Sequence, residues 1–223
     1  MTIYSASTWI LPVIIAVTFH EAAHGFAAML FGDDTAWKLG RVSFNPIKHI
    51  DPFGTILLPA LLLLVRSPVL FGYAKPVPVN FRALRPPRLG LITVALAGPL
   101  MNIALATLAA LAFHLVGYVP ADVARWVADN LGNAVTINVI LAVFNMFPLP
   151  PLDGGRVAVG VLPSAISRPL AGLEPYGMAI LLGLLFVLPI LGEQIGVDLD
   201  LMYRFVTAAS NAIIDTIASL TGN

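Results

Sequence analysis

The chain has 223 residues, of which 58% are hydrophobic and 11% charged, against roughly 45–50% and about 25% in an ordinary soluble domain. This composition excludes a water-soluble globule, and a chain with so much apolar surface to bury is not disordered either. With 12 Lys and Arg against 12 Asp and Glu the formal net charge is zero, and there is no cysteine, so the sequence offers no global field for nucleic acid, no disulfide, no thiolate metal site and no cysteine nucleophile.

The opening MTIYSASTWI carries no Lys or Arg, and the apolar run behind it passes residue 30. It therefore reads as a retained membrane segment rather than a cleavable signal. Runs of about 20 apolar residues mark candidate spans. The first covers residues 8–31 and is interrupted only by HEAAH. The second, residues 53–74, contains Pro59 and Arg66-Ser67-Pro68 and predicts a broken, re-entrant hairpin rather than a straight span. Residues 89–119 form a third, with His114 as its one ionisable group. A fourth runs over 134–146 and dissolves into FPLPPLDGG, and a fifth covers 176–191. Over 198–220, Leu201, Phe205, Ala209, Ile213 and Ile217 share one stripe, which predicts an interfacial helix. Between the first two segments, Trp37, Leu39, Arg41, Val42 and Phe44 precede Asn45-Pro46, and this pattern predicts a short β element.

The expected fold is an all-α polytopic membrane protein. It has about four transmembrane helices, a re-entrant hairpin, a short β element on the cytoplasmic side and a C-terminal interfacial helix. Residues 1–223 form one domain, with a core over 8–156 and accessory helices over 176–223. Residues 32–52 carry Lys38, Arg41 and Lys48, and residues 66–88 carry Arg66, Lys75, Arg82, Arg85 and Arg88 with no acid. The bias of Lys and Arg toward the cytoplasm places both connections inside and the N-terminus outside.

His20, Glu21 and His24 form HExxH within an apolar segment. Helical positions four apart differ by roughly 40° in direction and 6 Å in height, so both imidazoles face one side and can share a metal. Glu21 stands beside them, placed to handle the proton of an activated water. Ionisable groups at the centre of a span cost roughly 2.5–3.5 kcal/mol apiece to insert, so three within five residues point to function. A hydrolytic zinc site takes three protein ligands. A third His ten residues after His20 would fall on Leu30, and no Glu lies between Glu21 and Glu174. Asp33, Asp34, Asp51 and Asp153 remain, and Asp153 is favoured. It follows an apolar span directly, and Gly154-Gly155 allow the chain to bend close to a site. The amides of Asn102 and Asn145 are candidates to donate to an oxyanion or to hold an extended substrate. The alternative for Asn102 is packing between membrane helices through its small-xxx-polar spacing from Gly98.

FHEAAHG, AGPLMN and NMFPLPPLDGG, together with GYAKPVPVN, resemble the site-2 protease family of intramembrane zinc metalloproteases, in its compact bacterial form without a PDZ or CBS domain. The resemblance covers residues 8–156. It implies one zinc per chain held by His20, His24 and Asp153, with Glu21 as general base. It also implies a transmembrane protein substrate, and a bacterial inner-membrane location with the active site toward the cytoplasm. The competing class is a metal transporter, which would spread metal-binding positions over several helices with internal pseudo-symmetry. The sequence shows one compact constellation and no repeat.

Overall fold

In a bilayer every backbone N–H and C=O must be satisfied within the protein, which leaves helices and closed barrels as the spanning structures. The computed structural model describes residues 3–65 and 72–223, and among them there is helix but no strand. Ten α-helices follow in order: α1 (Ile3–Leu30), α2 (Thr35–Lys38), α3 (Leu58–Leu64), α4 (Pro87–Ala112), α5 (Ala121–Asn145), α6 (Asp153–Val161), α7 (Ser164–Gly172), α8 (Gly177–Leu182), α9 (Leu188–Ile195) and α10 (Leu201–Thr221). Among the described residues, four apolar helical stretches are long enough to cross a membrane: Ile3–Leu30, Pro87–Tyr118, Ala121–Asn145 and Ser164–Ile195. The last comprises α7 to α9 with tighter and wider turns between them. The chain is therefore an integral membrane protein.

The helices meet through small side chains and show large ones outward. Ala16, Ala22, Ala23 and Ala28 on α1, Ala95 and Ala106 on α4, and Ala142 on α5 are buried, whereas Ile10, Ile14, Leu100, Leu108 and Leu111 are exposed. That distribution suits a lipid solvent, in which close backbone approach rather than expulsion of apolar groups drives packing. Helices α1, α4 and α5 pack on one another. Tyr4 Oη donates to Asp129 Oδ2 at 2.6 Å at one end of the bundle. At the other end Arg85 N–H donates to Phe31 O at 2.8 Å.

Several expectations change. The fourth span starts at Ala121, not near residue 134, because a helix continues past its apolar part as long as its own i→i−4 bonds satisfy the backbone. The C-terminal helix does not lie flat at an interface. Ile217 joins Ala106, Ala110, Val135, Val139 and Val143 in one buried cluster, with Val206, Ala209 and Ile213 against it. Met202 packs with Leu149, Leu152 and Leu181, and Thr221 O accepts from His114 Nε2 at 2.7 Å. So α10 runs lengthwise along α4 and α5, from the Asp153 end to the His114 end.

The expected β element is absent too. Thr35–Lys38 is a helical turn and Pro46–His49 a 3₁₀ turn. The neighbouring run of residues 72–80 offers no ladder because Pro76 and Pro78 have no N–H. Its remaining polar groups go elsewhere: Lys75 N–H to His49 O, Val77 N–H to Glu21, and Lys75 O and Pro76 O to the Arg41 guanidinium. Around residues 53–74, Tyr73 N–H donates to Gly54 O at 3.1 Å and Thr55 Oγ1 to Tyr73 O at 2.9 Å. The two ends of that stretch therefore lie side by side. Its Arg66-Ser67-Pro68 portion lies outside the described residues.

Candidate metal centre

His20 and His24 sit one turn apart on α1, both buried. Asp153 reaches them from the first position of α6, after the proline-rich break that ends α5. The break is held in place by apolar contacts, with Leu149 and Leu152 buried against Leu181 and Met202. Gly154 and Gly155 pack so closely on the carbonyls and backbone of residues 146–150 that a Cβ at either position would collide with them. Glycine is required there for Asp153 to turn into the bundle.

The donor atoms form a small triangle. His20 Nε2 and His24 Nε2 are 3.1 Å apart, and each lies 3.3 Å from Asp153 Oδ2. A tetrahedral zinc with bonds of roughly 2.0–2.1 Å separates its ligand atoms by about 3.3–3.4 Å, so the triangle has the size of one face of such a site. Among the described residues these three are the group of ligating side chains that converge in this way.

The outer hydrogen bonds decide which atoms face inward. His24 Nδ1 is 2.7 Å from Val94 O, an acceptor with no hydrogen, so Nδ1 is the donor and, in the neutral ring, Nε2 carries a lone pair. His20 Nδ1 is 2.5 Å from Asn102 Oδ1. The amide sense of Asn102 is set by its own Nδ2, which donates to Ala16 O at 3.2 Å and to Asn138 Oδ1 at 2.8 Å. His20 therefore also presents a lone pair at Nε2. Two imidazole lone pairs and a carboxylate oxygen meet at one point, and Asp153 Oδ2 is buried with no hydrogen-bond partner. Such a point calls for a cation. Metal-ligating histidines usually have this outer bond, which fixes the ring and its tautomer.

One wall of the pocket is Gly98 on α4. A Cβ there would stand 2.5 Å from His24 Nε2 and 2.6 Å from His20 Nε2, so a side chain would occupy the space between the ligands. The small-xxx-polar spacing of Gly98 and Asn102 points to helix packing, and in the structure both residues serve the imidazoles.

Glu21, half-buried on the neighbouring face of α1, accepts the Val77 N–H at Oε2, 2.7 Å away. The two basic connections pack over this side of α1. Val42 and Val77 close on Gly25, and the Phe44 ring lies 4.5 Å from Phe19 and 5.7 Å from Phe26, between centroids.

The other candidate residues have different tasks. Both amide hydrogens of Asn102 are engaged by Ala16 and Asn138, so it has none to donate to an oxyanion; it stands behind His20 instead. Asn145 ends α5 and gives one amide hydrogen to Leu141 O at 3.0 Å. Asp33 is buried and accepts from Thr35 and from Asn80 N–H. Asp34 pairs with Lys38 at 2.7 Å, and Asp51 caps Phe53 N–H and Gly54 N–H. Arg156 binds Glu174 at 3.1 Å and stands over the Phe81 ring at 5.1 Å. Motif reading missed the Val94 carbonyl, which bonds His24, and Asn138, which bonds Asn102. Asn138 lies outside every motif, and a backbone carbonyl leaves no mark in a sequence.

Residues 114–188 match the family described as "Peptidase family M50". The chain is 39% identical over 185 residues to a Bacillus subtilis protein named "Putative zinc metalloprotease YwhC", an alignment covering 81% of this chain and 80% of that one. It is 28% identical to "Putative zinc metalloprotease Rip2" of Mycolicibacterium smegmatis, over 77% of this chain and 64% of the relative. It is 29% identical to the protein of the same name from Mycobacterium tuberculosis strain H37Rv, over 80% and 66%. No solved structure matches the chain significantly.

Proposed function

The chain belongs to peptidase family M50, and from that premise we propose that it is an intramembrane zinc endopeptidase that hydrolyses peptide bonds of transmembrane substrate proteins. The observation that carries this reading is the triangle of His20, His24 and Asp153, with edges of 3.1 to 3.3 Å, inside a bundle of apolar helices. The relatives named as zinc metalloproteases support the choice of metal.

His20 and His24 through Nε2, and Asp153 through Oδ2, would hold the ion. A zinc held there would supply a water with its pKa lowered to about 7 and a Lewis acid for the scissile carbonyl. Glu21 takes the proton of the attacking water on the carboxylate oxygen not engaged by Val77, and returns it to the leaving amine. Asn102 keeps His20 in the ligating tautomer. Asn145, with an amide hydrogen left over at the end of α5, is the group assigned to hold the substrate backbone.

The site belongs to the cytoplasmic half of the inner membrane. Residues 31–49 and 75–85, which carry Lys38, Arg41, Lys48, Lys75, Arg82 and Arg85, bond to one another through Arg85 and Phe31, Lys75 and His49, and Asn80 and Asp33. This supports one common side for both, and the excess of Lys and Arg makes that side the cytoplasm. The adjacency of Gly54 and Tyr73 supports re-entry of the apolar stretch between them. A metal transporter is disfavoured because the ligands form one compact site with a carboxylate beside it. The test is purified protein against a model transmembrane substrate, with zinc stoichiometry. Wild type and Glu21→Gln should each hold one zinc per chain, and only wild type should cleave. Substantial cleavage by folded Glu21→Gln overturns the assignment of the base.

A further inference from the structure

Asn138 lies on α5, one helix further from the ligands than Asn102, and it is 2% exposed. Its Nδ2 donates to Ala134 O, one turn back on its own helix, at 2.8 Å. Because that carbonyl has no hydrogen, Asn138 must turn its NH2 toward Ala134 and its Oδ1 toward α4, where it accepts from Asn102 Nδ2 at 2.8 Å. We propose that Asn138 is a positioning residue of the metal centre, fixing through Asn102 which ring nitrogen of His20 faces Asp153.

Each link forces the next. The Ala134 carbonyl sets the sense of the Asn138 amide, and Asn138 Oδ1 sets the sense of the Asn102 amide. Asn102 Oδ1, at 2.5 Å from His20 Nδ1, can only accept, so the ring hydrogen sits on Nδ1 and the Nε2 lone pair points at Asp153. A flipped Asn102 would turn NH2 toward Nδ1 and drive the hydrogen to Nε2, where it blocks ligation. Without Asn138 the flip is opposed only by the longer bond from Asn102 to Ala16 O, at 3.2 Å. His24 needs no relay, because Val94 O accepts from it directly. An Asn–Asn bond whose only task was to join two membrane helices would serve equally in either sense; here the Ala134 carbonyl selects one.

This inference rests on the zinc-peptidase reading, and its test separates the two. Zinc affinity is measured by chelator competition on the detergent-purified full chain for wild type, Asn138→Ala, Asn138→Leu, Asn102→Ala and the double variant Asn102→Ala/Asn138→Ala. Asn138→Leu keeps the branched shape and the number of heavy atoms and removes the amide, so it reports should the alanine variant fold poorly. Loss of an outer-shell partner typically weakens metal binding 10–100-fold, and for Asn138, one bond further out, about tenfold is expected. In the Asn102→Ala background the second substitution should change affinity by less than about twofold. In metal-free protein, the histidine 15N signals should show the Nδ1–H tautomer of His20 in wild type and a mixture in Asn138→Leu. If wild type binds zinc and cleaves while both Asn138 variants bind zinc equally well, the relay is overturned and the peptidase reading stands. An equal loss with and without Asn102 also overturns the relay, since it marks general packing. If wild type neither binds zinc nor cleaves, the peptidase reading falls and the relay with it.

Discussion

Glu21 and Val77, 56 residues apart in the chain, are joined by a 2.7 Å hydrogen bond from the Val77 backbone N–H to Glu21 Oε2. Pro76 and Pro78 on either side have no N–H, so the one donor in that tripeptide is used to hold the carboxylate of the HExxH motif. One oxygen is thereby fixed, and the other is the one to which the proposed function assigns proton transfer.

Replacing Val77 by proline removes this donor in a context that already accepts proline. Val77→Pro should keep its zinc and lower kcat about tenfold, equivalent to ~1.4 kcal/mol of transition-state stabilisation. Cleavage assays paired with metal analysis decide it. An unchanged kcat would mean that Val77 does not orient Glu21.

Gly98→Ala places a methyl group within 2.6 Å of both ligating nitrogens, well inside van der Waals contact of about 3.5 Å. One imidazole must move, so zinc affinity should fall at least tenfold and activity with it. Gly117→Ala, where a Cβ meets nothing within 4 Å, is the matched control and should leave both unchanged.

His20→Ala, His24→Ala and Asp153→Ala should each lose zinc and activity, because two remaining ligands hold the ion weakly. Asp51→Ala should keep its metal. Its carboxylate caps the turn that begins at Pro52, and losing such a cap typically costs about 1 kcal/mol of stability, read as a lower unfolding midpoint. Full zinc occupancy in Asp153→Ala would remove that residue from the ligand set.

Sidedness can be read directly because the chain has no cysteine. Single cysteines at Thr35 and Ala83 should resist an impermeant thiol reagent added to intact cells, and one at Ala121, at the opposite end of the bundle, should react. Labelling of Thr35 or Ala83 from outside would reverse the proposed orientation.

Hydropathy and spacing alone were enough to locate most of the membrane segments and the three side chains that converge in the candidate site. Apolar runs of bilayer length tolerate few structures other than helices, and His20 and His24 share a face because of the helical repeat itself. Asp153 was legible because proline and paired glycine mark a break where a span turns back. Features that depend on a second segment were not legible. The stripe on α10 does not distinguish a bilayer surface from the flanks of α4 and α5, since both are apolar. The pattern of Trp37 to Phe44 allows a strand, but pairing needs a neighbour with free N–H groups, and the run beside it has prolines at 76 and 78. The roles of Gly98, the Val94 carbonyl, Asn102 and Asn138 arise from three helices meeting at one depth. Periodicity predicts that an element exists and which face is apolar; only packing decides which atom of α4 lies within 3 Å of an imidazole on α1.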